Sequence, residues 1–234
     1  MIGCFIYGGL NCRDFGIYVS GSGTFNSAER DVEKVEIPGR NGDLLIDNNR
    51  FKNVPITYPA FIREKFLGLT DYARMWLLAD PGYRRLEDTY HPDEYRMARF
   101  AGPLDFDVRL LSRSGECNIS FDCMPQRFLK SGETTLDATE GLQLVNPTPF
   151  TALPLIRVYG TSGTLMVGDN IVQISQIDGY VDIDSETQNA YKGTTNCNGN
   201  ISAPVFPQLP EGQTGISAEG SITKVEITPR WWRI

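Results

Sequence analysis

VEIPGRNGDLLID, residues 35–47, is two short runs of alternating apolar and polar residues joined by Pro38, Gly39, Arg40, Asn41 and Gly42. Alternation marks half-buried strands, and Asn-Gly is a strong short-range hairpin signal because both residues take positive φ at low cost. The stretch therefore predicts a hairpin with strands over 32–37 and 43–47. A hairpin carries no reaction chemistry. The sharpest motif of the chain is architectural, and points to a protein that holds other proteins together.

Working outward, residues 2–7 and 16–20 read as strands around a Gly8-Gly9 turn and a loop at 11–14, with a small polar loop at 20–26. Residues 51–61 alternate with Val54, Ile56, Tyr58 and Ala60 in register, and Pro55 and Pro59 mark that strand as an edge or bulged one. One helix is predicted. Thr70 suits its N-cap, Asp71 its positive end, and Leu69, Tyr72, Met75, Trp76 and Ala79 recur as a core-facing stripe until Asp80-Pro81-Gly82 stops it. Four strands follow, over 83–90, 95–101, 104–111 and 117–124. Leu104, Phe106, Val108 and Leu110 are in step, as are Cys117, Ile119, Phe121 and Cys123, with Gly115 opening the turn between the two runs.

Near Gly132 the texture changes, which divides the chain into domains 1–132 and 133–234. The second part is nearly helix-free, with strands over 134–136, 143–145, 152–159, 163–167, 170–175, 180–184 and 221–228 and an irregular stretch at 193–215. The fold class expected is mainly β: an N-terminal β-sandwich or barrel-like domain with one α-helix, followed by a C-terminal β-sandwich.

Composition excludes several functions. The 234 residues carry a formal charge of −7, so no broad basic footprint for nucleic acid is expected. Arg84, Arg85, Arg96 and Arg99 are interspersed with Glu87, Asp88, Asp93 and Glu94 and read as a solvated mixed-charge surface. No apolar run is long enough to span a membrane, and MIGCFIYGG lacks the basic start of a signal peptide. Five scattered cysteines (Cys4, Cys12, Cys117, Cys123, Cys197) suit reduced thiols rather than a disulfide framework. Cys117 and Cys123 fall on one strand face, too far apart to bond to each other.

A search for chemistry yields no catalytic set. His91 is the only histidine, read as a surface residue in a polar loop, and no Gly-x-Ser-x-Gly elbow accompanies it. Asp182, Asp184 and Glu186 share a strand face and could approach Ca²⁺, but the glycine and loop frame of a calcium site are missing. Gly160-Thr161-Ser162-Gly163 and Gly21-Ser22-Gly23 lack the lysine and helix of a phosphate loop. Trp231 and Trp232 are adjacent, so in a strand one points in and one out, which makes them candidate exposed aromatics for a sugar or a partner chain. No metal, cofactor or catalytic residue is expected.

Four groups of residues carry a resemblance to a known family. They are Phe5-Ile6-Tyr7-Gly8-Gly9 with Asp14-Phe15-Gly16-Ile17; Ile37-Pro38-Gly39-Arg40-Asn41-Gly42; Cys123-Met124-Pro125 with Phe128-Leu129-Lys130-Ser131-Gly132; and Asp182-Ile183-Asp184 with Ala190-Tyr191, Phe206-Pro207 and Ile227-Thr228-Pro229-Arg230. In order and spacing the chain resembles the distal tail (Dit) proteins of long-tailed, non-contractile bacteriophages. The resemblance implies an N-terminal β domain with one helix and a C-terminal sandwich similar to galectins and carbohydrate-binding modules. It implies a homohexameric ring at the virion tail tip, assembled in the host cytoplasm. The ring joins the tail tube protein to the tail-tip protein around a channel that DNA crosses without specific binding, with host-binding proteins as further neighbours. The family has no catalytic residues to transfer. Ring closure requires one face of a copy to meet a different face of the next. The hairpin Pro38–Gly39–Arg40–Asn41–Gly42 is the candidate subunit contact, and the acidic total suggests a negatively charged channel lining. The alternative reading is a carbohydrate-binding host-adhesion module.

Overall fold

The structure, a computed structural model, describes residues 3–21, 26–63, 65–109 and 114–234. The expectations for Ile2, for the loop at 22–25 and for Leu110 and Leu111 lie outside the described residues. The chain forms two compact units, Met1–Arg127 with Ile234, and Phe128–Arg233.

The first unit runs β1 (Phe5–Tyr7), β2 (Leu10–Asn11), β3 (Ile17–Val19), β4 (Arg30–Val35), β5 (Leu44–Phe51), β6 (Val54–Ile62), α1 (Phe66–Leu78), β7 (Arg84–Asp88), β8 (Glu94–Phe100), β9 (Asp107–Arg109) and β10 (Ser114–Leu129). Its main sheet has the order β2-β1-β7-β8-β10-β6-β3, and an isolated bridge between Gly3 and Val19 brings the two ends of that path together. The sheet is thus curled toward a barrel around one aromatic core. Phe5 stacks on Tyr58 at 5.1 Å and meets Phe121 edge-on at 5.4 Å, and Phe15 lies flat on Trp76 at 4.2 Å.

Two sequence features acquire reasons here. Pro55 and Pro59 sit at outward positions of β6. Their carbonyls accept from Asn26 Nδ2 and Ser20 N (2.9 and 2.8 Å), on the side away from β10. Their missing N–H groups therefore cost no bond to β10, which pairs with β6 along its whole length. Only at its C-terminal end does β6 also pair with β3, so it is an edge for part of its course and an inner strand for the rest. Gly115 opens no turn. It lies inside β10 opposite Ile62, where a Cβ would collide with the Phe66 ring.

In β10, Cys117, Ile119, Phe121 and Cys123 alternate inward as the pattern predicts. The preceding run behaves differently: Leu104 is buried, Val108 is exposed, and among the described residues of the run only Asp107–Arg109 form a strand. All five cysteines are free, and burial pushes the Cys117 and Cys123 thiols up to about 12. The arginine-rich stretch is only partly a solvated surface. Arg84, Arg85 and Arg99 pair with Asp80, Glu87 and Asp122, but Arg96 and Glu94 are buried, and Glu94 binds Arg127 at 2.6 Å.

The second unit contains β11 (Leu136–Asp137), β12 (Leu142–Asn146), β13 (Leu155–Val167), β14 (Asn170–Ile174), β15 (Gly179–Asp184), β16 (Asn189–Lys192), β17 (Thr195–Asn196), β18 (Ile201–Ser202), β19 (Gly212–Thr228) and β20 (Trp232–Arg233). Its sheet has the order β11-β19-β13-β15-β16-β17, with β12 on β19 and β14 on β13. The expected separate strands 152–159 and 163–167 are one strand, β13, bulged at Gly160 and Gly163 where it crosses β19. A Cβ at either glycine would strike the β19 backbone, so these residues permit a close strand crossing. Residues 128–132 belong with this unit: Leu129 N donates to Trp231 O, and Arg230 N to Gly132 O, both at 2.8 Å.

Candidate assembly interface

β4 and β5 form a two-stranded sheet of their own, apart from the main sheet of the first unit. Cross-strand ion pairs hold the base: Arg30–Asp47 at 2.7 Å, Arg50–Asp31 at 2.6 Å and Lys52–Glu29 at 3.4 Å. The hydrogen bonds from Arg50 and Arg30 hold the Asp31 and Asp47 carboxyls below the ordinary aspartate range. Pairing skips from Val32/Asp47 to Arg30/Phe51, a bulge at which Asn49 adopts φ 56° and its N–H donates to Asp47 Oδ1.

The tip differs from the Asn-Gly turn expected. Arg40 N donates to Ile37 O at 3.1 Å with Gly39 at φ 82°, which is a type II turn with Pro38 and Gly39 at its centre. Asn41 is not in the left-handed region; Gly42 is, at φ 81°. Pro38, Gly39, Arg40, Asn41 and Gly42 are all exposed.

The hairpin is not the half-buried element that its alternation suggests. Leu44, Leu45 and Ile46 are exposed in succession, Leu45 to 61%. Residues directly opposite share a face, so Val35, Leu44 and Ile46 line one side with Glu33, and Leu45 and Lys34 the other. A lone two-stranded sheet has little stability of its own, and its outer edges can take a further strand.

The helix gives a second departure. It starts at Phe66 after Lys65, whose φ is 51°, so Thr70 lies inside it and donates to Leu67 O rather than capping. Its buried residues are Phe66, Thr70, Ala73, Trp76 and Leu77. Tyr72, Met75 and Ala79 of the expected core stripe face outward instead. Leu67, Tyr72, Met75 and Leu78 each keep 60% to 69% of their surface exposed. The helix carries apolar residues on more than one face, and the expected stripe follows only one alignment of them. The count carries the signal: eight large apolar residues in thirteen positions are more than one face can bury.

The other candidate residues are engaged within their own units. Trp231 is buried in the second core; Trp232 is half-buried, stacked on Phe150 at 4.5 Å and donating to Thr151 O. The DIDSET carboxylates are held by arginines. Asp182 takes a bidentate pair from Arg157 at 2.6 and 2.8 Å, while Arg230 binds Asp184 at 2.7 Å and Glu186 at 3.2 Å. Among the described residues, no group of three or more His, Cys, Asp or Glu could hold a metal. His91 is not a free surface residue: its Nδ1 lies 3.1 Å from Asp88 Oδ1, whose other oxygen accepts from Tyr58 at 2.7 Å. A hollow of about 600 Å³ in the second unit is lined in part by Tyr180, Lys192 and Asn196, but Arg157 and Lys192 already lie against the Tyr180 ring, at 4.6 and 5.5 Å.

The curled N-terminal sheet with its helix and outlying hairpin, followed by a second mainly β unit, is a Dit-like fold, similar to that of phage distal tail proteins. The chain superimposes over 100% of its length, and 100% of the other, on the crystal structure of the SPP1 Dit (gp 19.1) protein, a paradigm of the hub adsorption apparatus in phages infecting Gram-positive bacteria, with a TM-score of 0.76 and 13% identity. It also matches chains of the phage P2 baseplate in its activated conformation, with Ca (TM-score 0.54, 10% identity) and with Sr (0.53, 11%), each over 97% of both chains. No protein-family model and no curated protein matches the sequence.

Proposed function

We propose that this protein is a structural component of a bacteriophage tail tip: a hub that closes into a homohexameric ring and joins the tail tube to the tail-tip protein around the DNA channel. The observation that carries this reading is the end-to-end correspondence with the SPP1 hub protein, in which neither chain has a part left over. The physical chemistry of the first unit supports it. Clustered exposed apolar side chains mark interaction surfaces, and this unit leaves Leu44, Leu45 and Ile46 of its hairpin and Leu67, Tyr72, Met75 and Leu78 of its helix exposed. The first unit, Met1–Arg127, forms the ring, and its Pro38–Gly42 tip lies at the subunit contact. The role needs no catalysis, no cofactor and no grip on phosphates. A lining of net negative charge lets DNA slide.

Negative-stain imaging and light scattering of the purified protein test this: six-fold rings and a hexamer mass are expected. A chain that remains monomeric at high concentration with its tube and tip neighbours present overturns the proposal. Arg40→Glu tests the tip, and an unchanged hexamer population removes it from the contact.

A further inference from the structure

Two hollows of the second unit adjoin at the turn between β16 and β17. The larger, about 600 Å³, is lined in part by Gln176, Asp178, Tyr180 and Thr195, and the smaller, about 350 Å³, in part by Thr187, Asn189 and Tyr191. Gly193, Thr194 and Asn196 line both, which makes them one groove. Each volume lies in the range of small-molecule sites. We propose that this groove binds a neutral saccharide chain, with one sugar unit against the Tyr191 ring and the next hydrogen-bonded along Thr194, Asn196 and Gln176. The site is independent of the ring reading, because it takes no residue from a second copy.

Three observations select an uncharged, hydroxyl-rich ligand. First, the wall is fixed and still has hydrogen-bonding groups to spare. Asn198 N donates to Asn196 Oδ1 at 2.8 Å, and Asn198 Nδ2 to Asn189 Oδ1 at 3.1 Å. Asn200 Nδ2 donates to Gln176 O at 3.1 Å and holds that residue at φ 52°, in the left-handed region. Among the described residues, the Asn196 Nδ2 group, the Gln176 amide and the hydroxyls of Thr194 and Thr195 meet no partner. Groups already held in place lose little freedom when a ligand takes them up. Second, Tyr191 is half-buried and stands directly across from Asp182 on one side and Asn196 on the other. Among the described residues no ring or cation lies against it, whereas the Tyr180 ring is already taken by Arg157 and Lys192. An open aromatic ring with amides beside it matches a sugar, which has apolar C–H faces and a rim of hydroxyls. Third, the groove offers no spare charge. Its Lys192 and Asp178 pair with each other at 3.1 Å, which leaves no cation for a phosphate polymer. The strand beside it, β17, has two residues, too few to template an added peptide strand.

Saturation-transfer difference NMR on the full chain tests the groove, since it observes the ligand and works for a monomer or a ring alike. The probes are cellotriose, maltotriose and the trimer of N-acetylglucosamine, with glycerol 3-phosphate as the anionic control. Saturation of the ring C–H protons of at least one trisaccharide is expected, and none of the glycerol phosphate. Tyr191→Ala is expected to weaken that binding about tenfold. Asn196→Ala, at an exposed position, is expected to weaken it by a similar factor with an unchanged melting temperature, and so tests the site even if Tyr191→Ala fails to fold. Trp232→Ala, outside the groove, is expected to leave it unchanged. No saturation of any trisaccharide overturns the proposal, as does a signal from glycerol phosphate alone. Binding that survives Asn196→Ala and Tyr191→Ala but falls with Trp232→Ala overturns the placement of the site. Rings that bind none of the three sugars overturn the saccharide site and leave the ring reading standing.

Discussion

Single residues here act mostly by what they exclude. Gly115 faces the Phe66 ring so closely that no side chain fits without displacing the helix start. Gly115→Val is expected to cost about 1–3 kcal/mol, the usual penalty of overpacking a filled core, read as a lower denaturant midpoint. The opposite case is Arg157, whose guanidinium forks onto a nearly buried Asp182. Removing one partner of a buried pair costs about 3–5 kcal/mol. Because Arg157 itself is 41% exposed, Arg157→Ala is expected near the bottom of that range or below it. The Arg157→Met, Asp182→Leu double variant should recover most of the loss, since apolar groups of similar volume replace such pairs well. Equal destabilisation by the single and double variants would show that Asp182 is not stranded by the loss of Arg157.

Elements differ in how openly their sequences state them. β6 and the first part of β10 were legible because one of their faces is fully buried, and period-two alternation survives wherever that holds. β19 was only half legible: its first nine residues are GQTGISAEG, small and polar, and the pairing with β12 and β13 rather than any pattern holds them in a strand. The turn of the hairpin was read from Asn41-Gly42, while Pro38 at the first central position and Gly39 at positive φ form the turn observed. The unexpected exposed face of α1 has the same root. Apolar periodicity marks a face without naming what covers it, so an exposed apolar face and a face covered by the protein's own core read alike.

The hairpin's fastening has a pH signature. The Asp31 and Asp47 carboxyls are lowered in the folded state by Arg50 and Arg30. A group with a depressed folded pKa contributes stability that is fully present above its unfolded value, near 3.9, and is lost as pH falls through the folded one. Hydrogen exchange of the β4 and β5 amides should therefore be unchanged between pH 7 and 5, after correction for intrinsic rates, and accelerate below about pH 4. The β6 and β10 amides should stay protected through that step. Acceleration of all four strands together would show that the hairpin does not open by itself.

At the scale of the whole molecule, two cores of separate membership imply two sets of stabilising terms. If the ring closes through the first unit, mass action stabilises that unit and not the other. A partner present at a hundred times its dissociation constant adds about 2.7 kcal/mol to the state that binds it. The unfolding transition reported by near-ultraviolet dichroism of the Phe5, Tyr58 and Trp76 cluster should therefore rise in temperature with protein concentration. Ile156 lies in the second core with no exposed surface. Ile156→Val, at about 0.5–1.5 kcal/mol, should lower the melting of the second unit and leave the concentration dependence of the first untouched. A concentration dependence that instead follows Ile156→Val would place the subunit contact in the second unit, and the hairpin and α1 would then be surfaces for a different chain.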